Sequence, residues 1–159
     1  MPLFTRCGIS IAPRSNSPKR CRGWLRRLLT RSWLRPFEEH LKQTKGHVER
    51  LEKAFKRLDA STRGEKCKAM EGLIEEGKST LELDADDMVR DALLIGVAQK
   101  VEHYEIAGYG TARTFAQRLG EDNIASLLEE TLEEESETDR KLTQIAESAV
   151  NPDAENQND

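Results

Sequence analysis

From Pro36 onward the apolar residues recur at steps of three and four, and this spacing constrains the fold more than any other feature. It lines them along one side of an α-helix and leaves polar residues opposite. Four helices follow from it. The first opens at Pro36, a favourable first helical residue, and runs to Leu58 with Phe37, Leu41, Val48, Leu51, Phe55 and Leu58 on one side. Asp59 to Gly64 forms a turn, and a short helix from Glu65 to about Leu81 carries Met70, Leu73 and Ile74. Asp84 to Asp87 supplies an N-cap and an acidic first turn for a long helix to Leu119, stopped by Gly120. The last helix starts near Glu121 and fades by Val150, and the polar residues 151–159 read as a disordered tail.

Long amphipathic helices with short connections cannot bury their stripes alone, so residues 36–150 are expected to pack as an all-α antiparallel bundle. Three long helices leave such a bundle one short. The length of 159 residues fits a single domain with tails. No run of 18 or more apolar residues is present, so no transmembrane segment is expected. Three widely spaced cysteines, Cys7, Cys21 and Cys67, give neither a disulfide framework nor a zinc motif, which favours a reducing, cytoplasmic setting.

Charge divides the chain sharply. Residues 1–35 hold eight arginines, one lysine and no acid, so they carry +9 and the remainder −13. An acidic main domain lacks the clustered basic face that nucleic-acid binding needs. The basic segment 1–35 reads as disordered or partly helical, and three accounts of it stand. Trp24, Leu25, Leu28 and Leu29 opposed to arginines describe a basic amphipathic helix for an anionic membrane surface. An Arg-rich, acid-free stretch also fits a transit peptide, which keeps a targeting role open. Its Arg, Trp, Cys and Pro content matches a GC-rich gene read out of frame, and this account is preferred.

Within the helical part, polar residues interrupt the apolar stripes at matching levels. On a wheel of 100° per residue, the third helix centres its stripe on Leu94, Ala98, Val101, Tyr109 and Ala112, with Glu105 in the middle and Glu102 on the flank. His103 points away. The last helix places Glu135 and Thr138 on the stripe of Leu128, Thr131, Leu142 and Ala146, while the first carries His40, Thr44 and His47 between Phe37 and Leu51. A buried carboxylate must be paired, protonated or bound to a cation. Three carboxylates (Glu102, Glu105, Glu135) and two imidazoles (His40, His47) form an oxygen-and-nitrogen set suited to iron, with manganese as the alternative. The bland readings are a stripe-edge acid that snorkels to water and a core histidine that is merely hydrogen-bonded. Glu129, Glu130, Glu133, Glu134 and Glu137 read as a solvated face, and Cys67 and Met70 as packing residues.

Five segments also carry a family resemblance: Phe-Glu-Glu-His-Leu at 37–41, His-Val-Glu-Arg-Leu-Glu at 47–52, Cys-Lys-Ala-Met-Glu-Gly-Leu at 67–73, Gln-Lys-Val-Glu-His-Tyr-Glu at 99–105 and Leu-Leu-Glu-Glu-Thr-Leu at 127–132. Through them residues 37–147 closely resemble the YciE/YciF family of ferritin-like bacterial stress proteins. The resemblance implies a ferritin-like bundle, a homodimer or higher homo-oligomer, a di-iron centre and a role in stress response whose chemistry is undefined. Glu-His-Tyr-Glu also resembles the third bundle helix of rubrerythrins, whose first and fourth motif residues bind iron, and so implies Glu102 and Glu105 as ligands. His47 matches the histidine of a Glu-x-x-His pair, but Thr44 stands in place of the glutamate and Thr138 in place of a second histidine. The family's first helix, with an inward glutamate near Leu-Tyr-Asp-Ala-Glu, is missing or replaced. Two functions follow: a metal-binding stress protein whose site is impaired, or a non-catalytic helical interaction module without metal.

Overall fold

The computed structural model describes residues 31–64 and 66–155, and every described secondary element is helical. Helix α1 spans Arg31–Arg57, α2 Lys68–Leu81, α3 Asp87–Arg118 and α4 Asp122–Ile145. A π-helical turn, Ala146–Val150, leads into a last short helix, α5, Asn151–Glu155. The all-α helical bundle expected from the apolar spacing is what the chain forms.

The register follows from the cross-helix contacts. Arg57 meets Glu121 while Lys141 meets Glu39, so α1 and α4 run antiparallel. Arg113 meets Glu129 and Gln99 meets Asp139, so α3 and α4 are also antiparallel. His40 faces Glu102 and His47 faces Tyr109, which makes α1 parallel to α3. Helix α2 lies antiparallel on α3, through Cys67 to Tyr104 and Lys100 to Glu76.

Two turns close the bundle at one end, each by the same hydrogen-bond pattern. After α3, Glu121 N donates to Ala116 O and Gly120 N to Gln117 O, with Gly120 at φ +72°. After α1, Ala60 N donates to Phe55 O and Asp59 N to Lys56 O, with Asp59 at φ 48°. Both satisfy carbonyls that a helix end leaves open, and both need one left-handed residue. Cys67 caps α2, its sulfur accepting from Met70 N.

Some boundaries differ from the sequence reading. Helix α1 begins five residues before Pro36, whose ring removes one backbone donor and crowds the preceding turn, so the first turn is held despite the proline by residues such as arginine and leucine that are good helix formers. Beyond Val150 the chain does not leave helix as expected. The π turn re-phases it so that Val150 packs on Ile95 and Leu142, and residues 151–155 continue as α5 against α3. Expectations about residues 1–30, including a replaced first bundle helix, and about 156–159 fall outside the described residues.

Three layers stack along the bundle. Leu51, Phe55, Tyr109, Ala112, Ile124 and Leu128 form the main apolar core near the closed end. Ile95, Leu142 and Val150 form a smaller one at the other end. Between them lies a polar layer.

Candidate metal centre

The polar layer is built by residues that share the same helix faces as the core. On α3, Glu102 sits one turn from Ala98 and Glu105 one turn from Tyr109; on α4, Glu135 follows Thr131; on α1, His47 precedes Leu51 by one turn. The side chains therefore point inward because their neighbours at three- and four-residue spacing do. Glu135 is 0 % exposed, His47 2 % and Glu102 4 %. His40 and Glu105 are half-buried.

All five sequence-derived candidates meet in this layer. One ligand atom each from His40, Glu102 and Glu135 lies within 4.8 Å of the others. His40 Nε2 is 3.4 Å from Glu102 Oε1, and His47 Nδ1 is 3.1 Å from Glu135 Oε1. Glu105 borders Glu135 closely enough to perturb it. The wheel placed Glu105 in the middle of the stripe and Glu102 on its flank; the Glu105 carboxyl is deeply packed as that implies, and Glu102, although on the flank, is buried as a whole residue too. Helices α2 and α4 both pack on α3, so its buried face is broader than one stripe.

Electrostatics divide the three acids. The Glu102 carboxyl is pushed up to about 10, by burial first and then by the Glu135 charge beside it. Burial and the same charge hold Glu105 well above the usual carboxylate range, since the surrounding packing strips water from its carboxyl. Burial works to raise Glu135 too, but the close approach of His47 and of the Glu105 and Glu102 carboxyls outweighs it, and Glu135 falls to about 2. Without a cation the shifts favour a proton on Glu102 and on Glu105 and a charge on Glu135. Burial also lowers His40 and, with the nearby acids, raises Tyr109.

With all three acids ionised, Glu102 Oε2 and both carboxyl oxygens of Glu135 would be buried with no hydrogen-bond partner; without a cation they are satisfied only by protons shared among the acids and by His47. Buried carboxyl oxygens are ordinarily satisfied, and leaving one open costs about 1–3 kcal/mol or more.

Two contributors escaped the sequence reading. Glu134, assigned there to a solvated face, accepts from His47 Nε2 at 2.8 Å and from Arg50 through both oxygens, at 2.7 and 2.9 Å. Arg50 also reaches Glu130 at 2.6 Å. The Arg50 guanidinium, ahead of other influences, holds Glu134 below the ordinary carboxylate range. The available signal was Arg50 standing three residues after His47, on the same helix face. Thr138, read as inward-facing and as standing where a histidine is expected, lies 3.2 Å from His40 Nδ1. His103, placed on the surface by the wheel, is exposed beside Asp139.

Residues 29–155 match the family described as "Domain of unknown function (DUF892)". Protein YciF of Escherichia coli (strain K12) is 50 % identical over 121 residues, which are 76 % of this chain and 73 % of that protein. The chain belongs to the DUF892 family. The crystal structure of the E. coli stress protein YciF is similar at TM-score 0.76 and 39 % identity, covering 94 % of this chain and 95 % of that one. YcfI of Rhodopseudomonas palustris is similar at TM-score 0.74 and 37 % identity, covering 79 % and 80 %. The resemblance to YciF-type proteins read from the five segments is thereby established.

A cation fits the donor set of this family member. Bonds of about 2.1 Å place opposed ligand atoms about 4.2 Å apart, so a spread of 4.8 Å closes with shifts of a few tenths of an ångström. Three carboxylates and two imidazoles are fewer than the four and two of a full di-metal carboxylate bundle. No described helix is long and apolar enough to cross a membrane.

Proposed function

We propose that this chain is a metal-binding bundle protein of the YciF stress-protein type, holding iron, or manganese in its place, between α1, α3 and α4. The observation that carries the reading is the set of buried carboxyls of Glu102 and Glu135 beside His40 and His47, which have no partner outside this cluster and can be satisfied without a cation only by sharing protons within it. His40, Glu102 and Glu135 would hold one ion; His47, Glu105 and the shared Glu135 would take a second. Bound there, iron would supply Lewis acidity and one-electron redox chemistry. Around it the chain's own groups exclude water, and Glu102 and Glu105 give up their protons as the cation enters. A reducing cytoplasm, from the cysteine pattern, and a homodimer or higher homo-oligomer, from the resemblance, belong to the same proposal.

Anaerobic titration with ferrous iron, followed by metal analysis, tests it. At least half an equivalent retained, with a raised melting temperature that Glu102→Gln/Glu135→Gln abolishes, is the expected result. A second reading, a metal-free interaction module, is favoured by His47 facing carboxylates through both ring nitrogens, as a register-setting polar pair would. Less than half an equivalent and an unchanged melting temperature would select it.

A further inference from the structure

The hydrogen bonds around the two histidines fix one N–H on each ring. Thr138 has a single hydroxyl proton, and its Oγ1 donates to the Glu134 carbonyl at 2.9 Å. Towards His40 Nδ1, 3.2 Å away, the same oxygen can therefore only accept. His40 Nδ1 bears the hydrogen, and the lone pair is on Nε2, the nitrogen that faces Glu102. His47 is arranged the other way round. Its Nε2 meets Glu134, whose two oxygens already accept from Arg50 and which is an acceptor only. The hydrogen there is on Nε2, and Nδ1 turns to Glu135.

We propose that Thr138 and Glu134 are positioning residues that fix the outer nitrogen of each α1 histidine as an N–H, Nδ1 of His40 and Nε2 of His47, so that Nε2 of His40 and Nδ1 of His47 are the nitrogens left beside the Glu102 and Glu135 carboxyls to offer a lone pair to a cation there. Helix α4 does this with two residues one turn apart. Glu134 takes part in both arrangements, through its side chain at His47 and its backbone carbonyl at Thr138. The threonine standing where a ligand histidine is expected thus acts on the site through His40. A partner that fixes the outer nitrogen of a ligand histidine typically changes metal affinity by about 10–100-fold. The role as an aid to cation binding rests on the metal reading; the Nδ1–H form of His40 does not.

The test uses the full chain labelled with 15N-histidine, long-range 1H–15N correlation spectra at a pH where His40 is neutral, and Zn2+ as a diamagnetic probe. Metal-free protein is expected to show His40 as the Nδ1–H form. With Zn2+, His40 Nε2 and His47 Nδ1 shift as the bound nitrogens. Thr138→Val should release His40 alone to a mixture of forms and weaken Zn2+ binding about tenfold, and Thr138→Ser should restore both. Glu134→Ala should alter His47 alone, because the backbone carbonyl that holds Thr138 is retained. An Nε2–H form of His40 in the metal-free protein, or a Thr138→Val spectrum like the wild type, overturns the proposal. Failure to bind Zn2+, with the Nδ1–H form of His40 present, overturns the metal reading and leaves Thr138 as the residue that sets this ring.

Discussion

The main apolar core and the polar layer use the same faces of the same three helices, yet opposite physics. In the core, Ile124 is 0 % exposed and contributes only contacts and burial. In the layer, Glu135 is equally buried, but its carboxylate is met only by two other acids and by His47. Moving about three turns along α4, from Ile124 to Glu135, takes the chain from a level that stabilises the fold to one that costs stability unless something further is bound. The apolar level explains why the bundle forms, and the polar level requires another reason to exist.

The comparison breaks most severely at the core. Ile124→Ala is expected to lose about 2–5 kcal/mol in urea denaturation of the metal-free protein, since it leaves a cavity among Leu51, Ala125 and Leu128. Cation affinity should be unchanged if the levels are separate. The opposite sign is expected one layer away. Replacing Glu102, Glu105 and Glu135 together by leucine should raise metal-free stability by about 1–4 kcal/mol, as apolar replacements of buried polar clusters do. That variant should also lose the stabilisation of about 2.7 kcal/mol that a hundredfold excess of cation over its Kd confers on the wild type. A triple variant less stable than wild type would mean that the acids hold the bundle together by themselves.

pH sharpens the contrast with a smaller, graded effect. Glu102, pushed up to about 10, keeps in the folded state a proton that the unfolded chain releases above its ordinary value of 4.5. Its contribution is complete below that value and is lost as pH rises towards 10, so metal-free stability should fall across this window. Glu105, also raised, adds to the fall. Glu135, lowered to about 2, acts in reverse: its contribution is present above 4.5 and lost as pH falls towards 2. Denaturation midpoints between pH 5 and 9 should decline for wild type and for Ile124→Ala but stay level for the triple leucine variant. Cation affinity should rise over the same range as proton competition weakens.

Periodicity made the helices legible, together with the inward direction of Glu102, Glu105, Glu135, His40 and His47, because a wheel reports angle about one axis. What it could not report is which neighbour stands across the gap. Glu134 and Glu135 differ by 100° on α4, and the wheel separated them as surface and core. The α1–α4 register then seats Arg50 and His47 against Glu134, which makes a nominal surface acid part of the layer. Thr138 was read as inward and as a missing histidine; that it meets His40 Nδ1 depends on His40 lying opposite, a fact of packing. The extension through Asn151–Glu155 was invisible for a related reason, since a π turn breaks the 100° phase on which the reading depends.

The smallest expected effect lies at the closed end, where the two chain turns solve one problem with different residues. Gly120 and Asp59 both take the left-handed conformation, at φ +72° and 48°. A side chain there costs about 1–2 kcal/mol, and alanine recovers about 0.4–1 kcal/mol by stiffening the unfolded chain. Nothing lies within 4 Å of a Cβ built on Gly120, so only the backbone term acts. Gly120→Ala should therefore lose about 1 kcal/mol net, read as a lower urea midpoint. Asp59→Gly should move the midpoint upward by less, because aspartate tolerates this conformation better than alanine does. Both turns are at the apolar end, so neither substitution should alter cation affinity or the pH dependence. A shift in either would mean that the layers are coupled through the helices rather than stacked as independent levels.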